Sequence, residues 1–153
     1  MAVGDTQHLI RAAMAAVRDC AAQVEDRAGS LLQALPKMPM DEGLRATAIE
    51  LSAGLKDTAG RVTFELALLQ AQLGEDKVDA ATVVRTLSGM DAAMMDALAG
   101  LADVVDELET AAERDEQNER AFVLVIEAAG VMLQGLEKAK AATQALRSAV
   151  PAE

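Results

Sequence analysis

One histidine, one cysteine and a crowd of carboxylates are the residues of this chain whose types could do chemistry. His8 could act as a general base or accept a phosphoryl group. Helical bundles that use a histidine this way keep a basic residue and a glycine close by. His8 has Gln7, Leu9 and Arg11 as neighbours but no His-x-x-Lys-Gly pattern, and reads as a solvated surface residue. Cys20 follows Asp19. An adjacent acid disfavours the thiolate, so Cys20 reads as a small, half-buried helix residue. One His and one Cys cannot build a histidine- or thiolate-ligated metal site alone. A single Cys cannot close an internal disulfide, and nothing points to an oxidising compartment.

The carboxylates concentrate in the third quarter of the chain. Between Asp79 and Glu116 ten acids stand against two bases, Arg85 and Arg114. Asp103 with Asp106 or Glu107 has the spacing that puts two carboxylates on one helix face. Such a pair could hold a divalent metal or act as a catalytic acid pair, but its usual companions are missing. A ferritin-like site adds a Glu-x-x-His motif, and an EF-hand loop alternates oxygen ligands around a central glycine. No phosphate loop, nucleophile elbow, dinucleotide fingerprint, zinc motif or kinase signature occurs either. No metal, no cofactor and no enzymatic activity are expected. The acidic stretch reads as a solvated face, whose functional form is a docking surface for a basic partner.

Composition narrows the function classes further. Acids outnumber bases 25 to 14, for a net charge of −11 and a pI near 4.5. That charge opposes binding to a phosphate backbone. With no Trp, no Tyr and two Phe there is no aromatic platform for bases, so no nucleic-acid partner is expected. At 52 % hydrophobic the chain is too apolar to be disordered. The N-terminus lacks a basic stretch followed by an apolar core, so no signal peptide is expected. The most apolar run, residues 121–136, is interrupted by Glu127 and Gln134 and is shorter than the roughly 20 residues a spanning helix needs. The expectation is a cytoplasmic protein, with membrane association disfavoured.

The elements that carry these residues follow from the hydrophobic period. Ile10, Met14, Val17, Ala21, Val24, Ala28, Leu31 and Leu35 step by four and three without a break, a heptad seam. Asp5 or Thr6 can cap its start, and Pro36 and Pro39 end it. A second seam runs from Leu44 through Ala48, Leu51, Leu55, Thr58 and Val62, then shifts by one residue at Leu66, Leu69 and Leu73. Asp41 is its expected N-cap, and Gly74 is placed to take the left-handed conformation at its end. A third seam runs through Val83, Leu87, Met90, Met94, Ala97, Leu101, Val104, Leu108 and Ala111. A fourth runs through Phe122, Val125, Ala129, Met132, Leu136, Ala139, Thr143, Leu146 and Val150. Residues 113–119 contain no Gly and no Pro, so a single helix of about 108 Å over 79–150 is the alternative to a turn there. Four helices of equal length favour the turn. The expected fold is all-α: an antiparallel up-down-up-down four-helix bundle with coiled-coil-like seams. It forms a single domain over 1–153, with helices at about 6–35, 42–73, 79–113 and 118–149.

Six glycines, Gly54, Gly60, Gly89, Gly100, Gly130 and Gly135, fall inside these helices. Each costs about 1 kcal/mol relative to alanine. They are expected to face small residues where helices approach closely.

The strongest local oddity is apolar. In the run from Phe122 to Leu133 hydrophobic residues surround the helix, with Val123, Leu124, Ile126, Val131 and Leu133 off the seam. A bundle helix needs one apolar stripe, and a second face marks an interaction surface. Phe64 and Leu68 are a weaker version. The expected function is therefore a non-enzymatic protein–protein interaction module: an adaptor, chaperone or regulatory subunit. It would bind a protein partner or a second copy as a homodimer through Phe122, Val123, Leu124, Ile126, Val131 and Leu133. Asp103, Asp106 and Glu107 of the acidic third helix would steer the encounter. Two other classes compete. One is a signalling phosphotransfer or phosphatase bundle using His8 or the acidic region with Gln117 and Asn118. The other is a lipid- or granule-surface amphipathic helical protein whose glycine-rich bundle opens.

Overall fold

The computed structural model describes residues 3–150, with side-chain surroundings from residue 6 onward. Its four long helices are α1 (Val3–Ala34), α2 (Glu42–Gly74), α3 (Ala80–Arg114) and α4 (Glu119–Ala149), and the described residues contain no strand. Short 3-10 turns at Leu35–Lys37 and Glu116–Asn118 make two of the three joins. Helix α1 packs on α2 and α4, α3 packs on α2 and α4, and α1 also touches α3 across the middle. The chain is an all-α four-helix bundle.

Local chemistry sets the helix ends. Asp41 caps α2 by accepting from the Leu44 N–H at 3.3 Å, and Asp79 caps α3 by accepting from the Thr82 N–H at 2.8 Å. Hydrogen bonds from Thr82 hold the Asp79 carboxyl below its ordinary value. Helix α1 is already formed at Val3, the first described residue, upstream of both Asp5 and Thr6, so neither is its N-cap. It stops at Ala34, and Pro36 sits in the 3-10 turn that follows, where a missing N–H is tolerated. Pro151 lies outside the described residues.

The expectation for Gly74 is corrected. Gly74 is the last residue of α2, and Asp76 takes the left-handed conformation with φ 57°. The Lys77 N–H donates to the Gln72 C=O at 2.9 Å and the Asp76 N–H to the Leu73 C=O at 3.2 Å. This is a Schellman closure two residues later than expected. Aspartate tolerates that backbone through its short polar side chain, whereas glycine adopts it without steric cost. Asp76→Gly should therefore stabilise the protein by roughly 0.5–1 kcal/mol. Thermal unfolding of the variant checks this, and a loss of stability would refute it.

The join between α3 and α4 settles the long-helix alternative. Asp115 is extended, with φ −148° and ψ 117°, and accepts from the Gln117 N–H at 3.1 Å. Asn118 then turns inward and is buried. Its Oδ1 accepts from the Asp41 N–H at 2.8 Å, and its Nδ2 reaches the C=O groups of Ala111 and Asp115 at 3.5 Å. One side chain thus ties the starts of α2 and α4 to the end of α3.

The core holds Leu31, Leu35, Leu55, Leu87, Met94, Leu101, Leu108, Met132, Leu136 and Leu146, all fully buried. Burying each such side chain contributes about 1.5–3 kcal/mol. Burial departs from the sequence reading at several places: Ser52 of α2 is buried where Leu51 was expected, and Ile10, Leu44, Leu73, Ala111 and Val150 are only half-buried. Ala121 and Ala128 of α4 are buried where Phe122 and Ala129 were expected, and Leu98 of α3 is buried where Ala97 was expected. Alanine on the inner face lets α4 lie close against its neighbours, and the larger Phe122 is turned to the flank.

Candidate interaction surface

Most of the α4 seam, from Val125 through Met132 to Leu146, is buried, and Ala121 and Ala128 replace Phe122 and Ala129 near its start, which leaves the second apolar face directed outward. Ile126, Ala129, Gly130 and Leu133 of α4 lie opposite Met95, Leu98, Ala99, Ala102, Val105 and Asp106 of α3. Together they line an apolar groove of about 320 Å³ on the outer side of the α3–α4 pair. Ile126 and Leu133 are each 41 % exposed, and Val123 is 44 % exposed one turn nearer the start of α4.

The expected partner-binding residues therefore divide. Ile126 and Leu133 form one wall of the groove. Val123 and Leu124 lie in a separate hollow with Met38, Glu119, Arg120 and Glu127. Phe122 and Leu124 are half-buried against the core, and Val131 is half-buried. Of the expected acids, Asp106 lines the groove, while Asp103 and Glu107 are exposed on α3. Sequence reasoning missed the α3 wall, Met95, Leu98 and Val105. A signal was there: Met95 and Val105 each follow a seam residue, as Val123 and Ile126 do nearby. Phe64 and Leu68 of α2, 66 % and 50 % exposed, form a second apolar patch.

The residues read for chemistry are held apart. His8 is exposed on α1. Asn118 is engaged in the join described above, and Gln117 beside it is exposed. Among the described residues no group of three or more His, Cys, Asp or Glu is placed to hold a metal ion. Cys20 is buried, and its Sγ lies 3.8 Å from the Met94 Sδ. Burial pushes the thiol up to about 11, and the acid that adds to this is Asp91 across on α3 rather than the neighbouring Asp19. Such a thiol is a weak nucleophile at neutral pH.

Asp91 is the buried acid that the sequence concealed. It is 5 % exposed and its Oδ1 has no hydrogen-bond partner. It borders a cleft of about 310 Å³ between α3 and α4 that Ser88, Lys140, Thr143, Gln144 and Arg147 also line. The Arg147 guanidinium donates to the Ser88 hydroxyl at 2.5 Å, closing one side. Burial raises the Asp91 carboxyl above its ordinary value of 3.8, and the Lys140 ammonium pulls it back in part. The Thr143 hydroxyl has one proton, which it donates to the Ala139 C=O at 2.9 Å. A raised carboxyl stabilises the fold when protonated, and that stability is lost as pH rises from 3.8 through the folded-state value. Asp91→Asn should therefore stabilise the protein at pH 7 by about 1 kcal/mol, because an amide can donate to the Thr143 oxygen and carries no charge. The advantage should vanish below pH of about 4, where both forms are neutral. Urea unfolding at both pH values measures it, and an advantage independent of pH would refute the assignment.

The chain is thus a four-helix bundle that presents an apolar groove beside an acidic helix. No protein-family model, no curated protein and no solved structure matches it. Among the described residues no helix is long and apolar enough to cross a membrane.

Proposed function

We propose that this chain is a non-enzymatic protein-interaction module of the cytoplasm, an adaptor, chaperone or regulatory subunit that works by holding another polypeptide on α4. The observation that carries this reading is the groove in which Ile126 and Leu133 stand open beside Met95, Leu98 and Val105. Large apolar side chains grouped on a surface are costly to leave in water, and such patches mark binding sites. The acids of α3, Asp103, Asp106 and Glu107, supply long-range attraction that speeds encounter with a cationic partner.

The test is a paired substitution on the exposed wall. Ile126→Glu with Leu133→Glu should leave the melting temperature within a few degrees of wild type, since both side chains are already partly in water. Affinity capture with wild type and with the double variant should differ by the loss of at least one stoichiometric protein. An identical captured set, from a variant that still folds, overturns the reading.

Self-association is the second form of the same proposal, and Phe64 with Leu68 favours it. These side chains sit on α2, away from the groove, and offer a second copy an apolar contact. Light scattering on wild type and on Phe64→Glu decides it. A dimer reduced to a monomer by that change supports self-association, and a wild-type monomer at high concentration removes it.

A further inference from the structure

We infer that the occupant of the α3–α4 groove is an amphipathic helix of a different protein, seated with a cluster of Lys or Arg at the end where α3 stops and α4 starts. The inference rests on the interaction reading above and adds the occupant's chemistry and its placement. From Met95 to Asp106 the groove follows α3 for about 16 Å, roughly three helical turns. That length takes apolar anchors at i, i+4 and i+7 of an incoming helix. At Gly130, in the groove, an added Cβ would meet nothing within 4 Å, so there is room for a backbone to come close.

Charge complementarity selects the occupant. From Asp103 to Arg120 the chain carries eight acids against two bases, Arg114 and Arg120. Asp106 lines the groove, and Glu109 and Glu113 follow at i+3 and i+7 on the same side of α3. Glu119 stands two turns before Ile126 and so shares its side of α4. All four are exposed. No base occurs on α3 between Arg85 and Arg114, or on α4 between Arg120 and Lys138. A helix that brought carboxylates to this end would meet like charge, whereas Lys or Arg there is drawn in and fixed in register. A second copy has the wrong chemistry: it carries −11, and its exposed Phe64–Leu68 patch is flanked by Arg61 and Glu65, whose charges cancel. An anionic lipid surface is repelled by the same sign.

Two synthetic amphipathic peptides of about 18 residues test this, identical in their apolar anchors. One carries a Lys cluster at one end and the other a Glu cluster at the same end. At about 0.1 M salt the Lys peptide should bind at least about tenfold more tightly, and the gap should close at about 1 M, where screening shortens to about 3 Å. Glu109→Lys with Glu113→Lys should reverse the preference. Ile126→Glu with Leu133→Glu should weaken the Lys peptide more than about tenfold at unchanged melting temperature. Methyl NMR shifts should fall on Met95, Ile126 and Leu133. Equal binding of the two peptides, or shifts centred on Phe64 and Leu68, overturns the inference. So does a dimer, or flotation with anionic vesicles, that the Ile126 and Leu133 changes abolish. If protein capture depends on the groove but the peptides show no charge preference, the inference falls and the interaction reading stands. If capture ignores the groove, the interaction reading itself falls.

Discussion

Replacing Gly54, Gly60 and Gly89 together by alanine should raise the stability by about 2–3 kcal/mol. Each lies inside a long helix, Gly54 and Gly60 in α2 and Gly89 in α3, and each is exposed. An added Cβ would meet nothing within 4 Å at any of the three. The gain then comes from two sources with no steric charge against them. Alanine favours the helix over glycine by up to about 1 kcal/mol per site, and it narrows the unfolded ensemble. For a chain of this size that corresponds to roughly 5–10 °C in melting temperature. The sites are at least six residues apart in sequence and share no partner, so the three increments should add. Calorimetry on the single and triple variants checks both the sum and the additivity. A triple variant no more stable than wild type would mean that these positions touch something the bundle alone does not contain, such as a bound partner.

Gly135 should tolerate alanine but not a larger side chain. It lies on α4 where that helix crosses α1, and a Cβ built there would stand 3.6 Å from the Cys20 Cα and 3.8 Å from its Sγ. Those are ordinary contacts, so Gly135→Ala should change stability by less than about 1 kcal/mol. Gly135→Ile is different, because its branched carbons would extend into the backbone of α1. Cys20 and Ala21 are buried there, and backbone cannot rotate away as a side-chain tip can. A loss of about 3 kcal/mol is expected. The buried thiol gives an independent readout. With its pKa pushed up to about 11 and its sulfur enclosed, Cys20 should alkylate slowly in wild type and much faster in Gly135→Ile. A Gly135→Ile protein that unfolds like wild type would show that the two helices stand farther apart. Gly100 is a third case: a Cβ built there would meet the Leu51 Cδ2 at 2.7 Å, too close to keep, but that atom is the end of a side chain that can move.

Burial confirms a good part of the sequence reading and revises specific pieces of it. Of the first seam, Met14, Val17, Ala21, Val24, Ala28 and Leu31 on α1 and Leu35 in the turn after it are buried, and Ile10 is half-buried. A long apolar series with a strong period leaves a helix no other face to bury. The reading was weaker where two adjacent residues compete for one inward position, as Ala121 with Phe122 and Ala97 with Leu98. The helical period separates neighbours by 100°, so both fall within a wide apolar stripe and only the distance to the next helix chooses between them. The groove was half legible for the same reason. Ile126 and Leu133 announce an extra apolar face on α4, and Met95 and Val105 each follow a seam residue on α3, but only the rotation of the two packed helices decides that these faces meet.

The sequence by itself determined that the chain forms long helices and where two of them start. Periodicity, proline positions and the carboxylates of Asp41 and Asp79 act within a few residues and need no distant neighbour. Tertiary structure alone decided which glycine sits at a helix crossing and which stands in open space. It also decided that Asp91 is enclosed beside Thr143 and raises the Cys20 thiol, and that an acidic helix supplies the second wall of an apolar groove. Each of those outcomes depends on residues from two helices meeting at a particular height and rotation. Helix-to-helix distance and crossing set that meeting, and both arise only when all four stripes are buried together.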